Sequence, residues 1–165
     1  MKNTNDNIEK ICNFYMSDWH FAVMILPYIN NEINSNTQII TIFEKDISPK
    51  VKTLVDKLNL KNKDEILKIN WKNSDIKNFI QEIKIKMKNN DKNILIINGT
   101  NSYINRINNR LETEIHNNIF KNLNIKIIDC YEFEENKDNM NSIIEKYDFM
   151  LNTSGEIKIN SITHQ

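Results

Sequence analysis

One aliphatic strand that runs directly into a helix is the feature that most constrains how this chain can fold. In segment 93–99, four consecutive aliphatic residues lie between polar ones, and a glycine ends the run. Such a run is typical of a strand buried on both faces of a parallel sheet. A helical pattern follows at once, and open parallel sheets hold their ligands where strands end at helix N-termini. The segment therefore predicts both an architecture and the place of a site.

Other apolar segments extend this pattern along the chain. They predict strands at 11–15, 38–43, 66–71 and 125–133, each followed by a helical pattern. Near the end, 149–159 reads as two short strands around a polar turn, which predicts a hairpin. Strands that alternate with helices indicate a layered sheet with right-handed crossovers. We predict an α/β fold: a single-domain three-layer sandwich with a mostly parallel five-stranded sheet and a C-terminal hairpin.

Short-range signals predict how individual helices begin and end. Ser17 or Asp18 can cap the first helix, predicted over 19–33, because a side-chain oxygen accepts an unpaired N–H of the first turn. Pro27 lies inside that helix, where a proline costs about 3 kcal/mol, so we expect a kink or a restart there. Asn59 follows the next helix and predicts a left-handed cap.

Composition and charge exclude several classes of protein. The 165 residues carry 22 basic and 22 acidic side chains, which predicts no direct nucleic-acid binding. No apolar run reaches the roughly 20 residues of a membrane span, and two distant cysteines favour a reduced, cytoplasmic protein. We predict a disordered tail at 1–9, without the apolar core of a signal peptide, and one domain at 10–162.

The chain lacks the motifs of nucleotide binding. The first strand-to-helix turn, 15–20, contains no glycine and no lysine, and Asp18 within it would repel a phosphate. Gly99 and Gly155 are the only glycines, so the dinucleotide-binding pattern is absent as well. We therefore predict that the chain neither binds nor hydrolyses nucleoside triphosphates.

Histidines and cysteines also give no catalytic signature. None of the three histidines has a metal-ligand spacing to another histidine or a cysteine. We interpret His20, beside Trp19, as a partly buried structural residue. Asp129 opposes thiolate formation at Cys130, which we interpret as a small buried hydrophobe. We predict no catalytic residue, no metal site and no cofactor.

The carboxyl ends of the first, fourth and fifth predicted strands form the predicted binding site, since ligands collect at this edge of a parallel sheet. The edge offers aromatic walls, two carboxylates and the N–H groups of two helix starts, which suits a small, mostly apolar ligand. Alternatively, aromatic side chains fill the edge. The residues predicted to bind a ligand are Tyr15, Asp18, Trp19, His20, Asn98, Thr100, Asp129, Cys130 and Tyr131.

Several segments also resemble a known family. Segments 11–15, 21–33 and 38–43 resemble the opening of MEDS sensory domains (methanogen/methylotroph, dichloromethane-regulator type): a strand ending in an aromatic pair, an acidic turn, a helix containing proline and a second strand. Segments 127–131 and 143–147 resemble the closing part, in which a Cys and a Tyr end a late strand. Such domains are similar to the RecA/KaiC ATPase core without its phosphate-binding loop.

The resemblance implies a non-catalytic cytoplasmic sensory or regulatory domain that binds a small molecule or a protein partner. The first helix is apolar almost all round, which predicts a homodimer or a docked protein partner. Two alternatives stay open. One is a small-molecule enzyme that uses Asp18, His20, Asp129 and Cys130 at the carboxyl edge. The other is a purely structural protein-interaction module.

Overall fold

A six-stranded sheet is the centre of the computed structural model, which describes residues 7–89 and 91–159. Its strands are β1 (Ile8–Tyr15), β2 (Thr37–Phe43), β3 (Lys92–Asn98), β4 (Asn124–Glu132), β5 (Phe149–Asn152) and β6 (Gly155–Lys158). The helices are α1 (Asp18–Glu32), α2 (Ser48–Lys57), α3 (Lys63–Leu67), α4 (Ile76–Lys86), α5 (Asn101–His116), α6 (Phe133–Asn136) and α7 (Met140–Ile144). One turn of 3-10 helix, Lys137–Asn139, joins α6 to α7.

The strands are arranged in the order β2-β3-β4-β1-β5-β6. All neighbouring strands pair in parallel except β5 and β6, which form an antiparallel hairpin. The predicted α/β class, the mostly parallel sheet and the C-terminal hairpin are therefore confirmed. The parallel strand β1 begins at Ile8, two residues before the predicted domain boundary. Residues 1–6 of the predicted tail, and the predicted domain end at 162, lie outside the described residues.

One predicted strand is wrong. Segment 66–71 forms the end of α3 and the turn that follows it, and it does not pair in the sheet. Its apolar side chains pack instead, since Ile66 and Trp71 are buried and the Trp71 ring stacks on Phe43 at 5.7 Å between centroids. The indole N–H of Trp71 donates to the Ile66 carbonyl at 2.8 Å. A short apolar run fits a strand or a buried connection equally well, so the pattern alone was not decisive.

Helices cover both faces of the sheet and form two apolar layers. The layer on one face contains α1, α2 and α3, and the layer on the other contains α4, α5 and α7. In β3, Ile94 and Ile96 point into the first layer, while Leu95 and Ile97 point into the second, and all four are completely buried. The prediction that this strand is buried on both faces is confirmed.

The helix ends follow the local signals in most places. Ser17 caps α1, because its Oγ accepts the His20 backbone N–H at 3.1 Å. Asn59, after α2, has the predicted left-handed conformation with φ of 49°. Pro27 lies within α1, which is one continuous helix, so the helix does not restart there.

Two further features are the character of the helices and the state of the cysteines. Within residues 7–89 and 91–159, no helix combines the length and apolar character needed to cross a membrane. Cys12 and Cys130 are both buried free thiols.

We predict that Pro27→Ala raises the free energy of unfolding by up to about 3 kcal/mol, because alanine restores the N–H that a helix interior requires. Pro27 is only half-buried, so the loss of ring contacts is limited. Pro49→Ala is the matched control, since Pro49 lies in the first turn of α2, where proline is tolerated. Urea unfolding of both variants measures the effect. An equal response at the two positions would contradict the prediction.

Candidate functional site

The carboxyl ends of β1, β3 and β4 are neighbours, as predicted from the sequence. β4 lies in the centre and pairs with β3 on one side and β1 on the other. The strand ends therefore bring Tyr15, Asn98 and Tyr131 to the same edge of the sheet.

The sheet nevertheless separates these residues into two groups, because successive side chains of a strand point to opposite faces. Tyr15, Asn98 and Cys130 lie on the face that α1 covers, where the Tyr15 hydroxyl donates to Asn98 Oδ1 at 2.7 Å. Asp129 and Tyr131 lie on the opposite face, beneath α5 and α7. Asp129 and Tyr131 therefore do not line one common cavity with Tyr15, Asn98 and Cys130.

The Cys130 thiol is enclosed and protonated. Its side chain is completely buried, and burial followed by the charge of Asp129 raises its pKa well above the usual value. Burial is also the main cause of the raised pKa of Tyr15, and the neighbouring Cys130 and Asp18 add to it. A protonated, inaccessible thiol is a poor nucleophile, in agreement with the structural role expected for Cys130.

The remaining predicted residues at the first helix start make local contacts. The Nδ1 atom of His20 accepts the Met16 backbone N–H at 2.9 Å, which gives His20 a structural role. Asp18 forms an ion pair with Lys45 at 3.5 Å. Trp19 is 47% exposed, and the Lys50 ammonium lies 5.7 Å from the centroid of its ring.

Two carboxylates of the chain accept hydrogen bonds from the start of α5. Glu44 Oε1 accepts the backbone N–H of Thr100 at 2.8 Å, and Glu135 Oε1 accepts that of Asn101 at 3.1 Å. Thr100 is the N-cap, and its hydroxyl accepts the Tyr103 N–H at 3.2 Å. Helix N-termini favour negative charge because their first N–H groups lack partners within the helix. Here the chain supplies that negative charge itself.

A second site, which the sequence analysis did not assemble, surrounds the carboxylate of Asp129. Its Oδ2 atom accepts hydrogen bonds from Tyr147 OH at 2.6 Å, Asn108 Nδ2 at 3.0 Å and Lys10 Nζ at 3.1 Å. Lys10 also donates to Asn108 Oδ1 at 2.7 Å, and the hydroxyls of Tyr131 and Tyr147 share a hydrogen bond. We call Lys10, Asn108, Asp129, Tyr131 and Tyr147 the Asp129 cluster.

Burial strengthens the electrostatic interactions within this cluster. Asp129 is 0% exposed, and the Lys10 side chain that neutralises it is 16% exposed. Burial, followed by the negative charge of Asp129, raises the pKa of the phenols of Tyr131 and Tyr147, so both remain protonated. In the part of the chain that the structure describes, Asp129 Oδ1 is one of five buried side-chain oxygens without a hydrogen-bond partner. Unpaired polar atoms in a protein interior are uncommon, and strain, a catalytic role or a bound water or ion can explain them.

A cavity of about 180 Å³ opens beside the Asp129 cluster. Its floor contains Lys10, Asn108, Tyr131 and Tyr147. The side chains at its exposed mouth are those of Asn105, Asn109, Glu112 and Lys146. A larger cleft of about 340 Å³ lies at the amino ends of β1, β3 and β4.

Comparisons with protein-family models, with curated proteins and with solved structures gave no match to this chain. Among the described residues, no group of three or more His, Cys, Asp or Glu side chains could hold a metal ion.

We predict that Lys10→Met lowers the free energy of unfolding by about 3–5 kcal/mol, because it leaves the Asp129 charge buried without a counter-ion. The double variant Lys10→Met/Asp129→Asn removes that charge and should recover a large part of the loss. Lys45→Met is the control, since it breaks the more exposed pair with Asp18 and should cost at most about 1 kcal/mol. Chemical denaturation measures all three. A Lys10→Met loss no larger than that of Lys45→Met would contradict the prediction.

Proposed function

We propose that this chain is a non-catalytic cytoplasmic sensory or regulatory domain that binds a small molecule or a protein partner. The observation that carries the proposal is the start of α5, where Glu44 and Glu135 already bond the first backbone N–H groups. A phosphate placed there would lose those donors and meet two like charges.

The start of α1 supports the same conclusion. In a phosphate-binding loop, backbone N–H groups are free to point at the phosphates. Here the N–H groups of Met16 and His20 are bonded to the side chains of His20 and Ser17. At both helix starts, side chains of the protein itself therefore accept hydrogen bonds from backbone N–H groups.

The order of the strands agrees with the proposed relationship to MEDS sensory domains. That resemblance implies a RecA-like sheet in which the ends of β1, β3 and β4 are neighbours, and the observed order has this arrangement. The support is at the level of the fold alone, and a fold hosts many functions.

The enzyme alternative finds less support from the geometry. It requires Asp18, His20, Asp129 and Cys130 to act together. Asp129 and Cys130 point to opposite faces of β4, and His20 and Asp18 each bond to nearby groups at the α1 start. General acid–base or nucleophilic catalysis needs these groups within hydrogen-bond reach of each other or of a common substrate.

An apolar surface at the start of α1 is the proposed partner site. Met16, Trp19 and Val23 are 54%, 47% and 40% exposed. Trp19 and Val23 are four residues apart on one side of α1, and Met16 directly precedes the N-cap Ser17. This surface suits a second copy of the chain or another protein. It also contains Trp19, which the sequence analysis assigns to the binding site of a small apolar ligand. A cytoplasmic location is consistent with the free thiols of Cys12 and Cys130.

We predict that the protein gives no calorimetric binding signal with ATP or GTP at millimolar concentration, because Glu44 and Glu135 already accept the first N–H groups of α5 and would repel a phosphate. Removing the carboxylates in Glu44→Ala/Glu135→Ala should destabilise the fold by about 0.5–2 kcal/mol for each cap lost, and added inorganic phosphate should recover part of this.

Glu134→Ala is the matched control, because Glu134 pairs with Lys137 on the surface and makes no bond to the α5 start. Micromolar ATP binding by the unmodified protein, or ATP turnover that Asp18→Asn abolishes, would refute the non-catalytic proposal. Native mass spectrometry of the protein from its own host tests the ligand directly, since a regulatory domain should retain a specific small molecule or partner.

We predict that the protein self-associates or binds a partner through the α1 surface, and that Val23→Lys weakens this association at least tenfold by placing a charge in an apolar contact. Ile85→Lys is the control, because Ile85 is 68% exposed on α4, away from this surface. Sedimentation velocity over a concentration series and pull-down from host extract measure the effect. A monomer at every concentration, together with no recovered partner, would exclude the proposed surface.

A further inference from the structure

We propose that the cavity beside the Asp129 cluster binds a small zwitterion, a molecule that carries one carboxylate and one ammonium group and is about the size of a free amino acid. This inference names a class of ligand for the proposed regulatory domain. The binding itself does not depend on that proposed function, but a regulatory effect of binding does. The cavity adjoins Asp129 and Tyr131 of the site predicted from the sequence, but its ligand differs in chemistry from the apolar ligand predicted there.

The volume of the cavity limits the size of the ligand. The cavity is small, at about 180 Å³. Pockets for drug-sized ligands measure about 300–1,000 Å³, so this cavity suits a smaller ligand.

The floor of the cavity offers a fixed cation. Lys10 has three donor hydrogens, and Asn108 and Asp129 accept two of them in the described part of the chain. These bonds hold the ammonium in place before a ligand arrives, which reduces the entropy lost on binding. The remaining donor suits a carboxylate oxygen, and the phenols of Tyr131 and Tyr147 line the floor beside it.

The mouth of the cavity adds one charge of each sign. Glu112 is on α5, and Lys146 is in the segment between α7 and β5. No ion pair of either side chain is found among the described residues, which leaves both available to a ligand. Glu112 suits an ammonium group, and Lys146 can assist Lys10 in binding a carboxylate.

The balance of charge favours a zwitterion over an ion. Lys10 and Lys146 contribute two positive charges, while Asp129 and Glu112 contribute two negative charges. A phosphate or a dicarboxylate would meet Glu112 at the mouth, and a simple amine would meet the two lysines. An aliphatic ligand would leave the polar lining without hydrogen-bond partners, which is costly.

Calorimetry and ¹⁵N NMR titrations with glycine, β-alanine and L-serine test this inference on the full chain. We expect at least one of them to bind at least tenfold more tightly than acetate, ethylamine or glycerol, which supply only the carboxylate, the ammonium or neutral hydroxyls. The shifted amide signals should come from α5 and from residues 146–147.

Two charge-removing variants locate the site. Glu112→Gln and Lys146→Gln keep the size of exposed side chains, so the fold should be retained, and each should weaken zwitterion binding about tenfold, which corresponds to about 1.4 kcal/mol. Lys121→Gln and Glu145→Gln change exposed residues that do not line the cavity and should leave affinity unchanged.

Three results would overturn the inference: no binding by any zwitterion, equal binding of glycerol, or full affinity in both cavity variants. The outcome is separable from the proposed regulatory function. If no zwitterion binds and ATP is neither bound nor hydrolysed, the cavity inference fails while the regulatory proposal stands. If a zwitterion binds and ATP is hydrolysed, the site stands and the non-catalytic proposal fails.

Discussion

The buried negative charge of Asp129 is the constraint on which the centre of this structure depends. A carboxylate that is 0% exposed is tolerated only with a counter-ion and hydrogen-bond donors, and these come from distant parts of the chain. Lys10 comes from β1, Asn108 from α5, and Tyr147 from the segment that leads into β5. The charge therefore helps to select the observed arrangement, because a shifted strand or helix would leave it unpaired.

A second electrostatic interaction, between two carboxylates and the first N–H groups of α5, lies at the carboxyl ends of the strands. Glu44 follows β2 and Glu135 lies in α6, yet both reach the first N–H groups of α5. Close approach at this point requires Gly99, because a Cβ atom there would lie 2.4 Å from the Tyr103 ring and 2.9 Å from Glu44 Oε1. Other parallel α/β sheets hold anionic ligands at the carboxyl ends of their strands, and here the protein's own carboxylates stabilise that end. The cavity proposed to bind a polar ligand lies instead on the face of the sheet beneath α5.

Local sequence patterns predicted the helices and strands better than they predicted the binding site. The aliphatic run in β3 and the hairpin near the end were recognisable because burial on two faces and turn chemistry leave local signals. Segment 66–71 was misassigned because its apolar residues are buried by packing, without strand pairing. Asp129 and Cys130 were expected to share a site, although alternation along a strand already places neighbours on opposite faces. The partnership of Lys10 with Asp129 depends on the pairing of β1 with β4, which no local pattern encodes.

The position of Lys10 also gives a physical route between the two proposed binding surfaces. Lys10 lies within β1, and the same strand ends at Tyr15, directly before Met16 and the exposed face of α1. A ligand in the cavity changes the partner surface only if it has different affinities for two arrangements of β1 and α1. By linkage, a partner on α1 must then change ligand affinity by the same factor. Equal zwitterion affinity with and without the partner would show that the surfaces act independently, even if both are occupied in the cell.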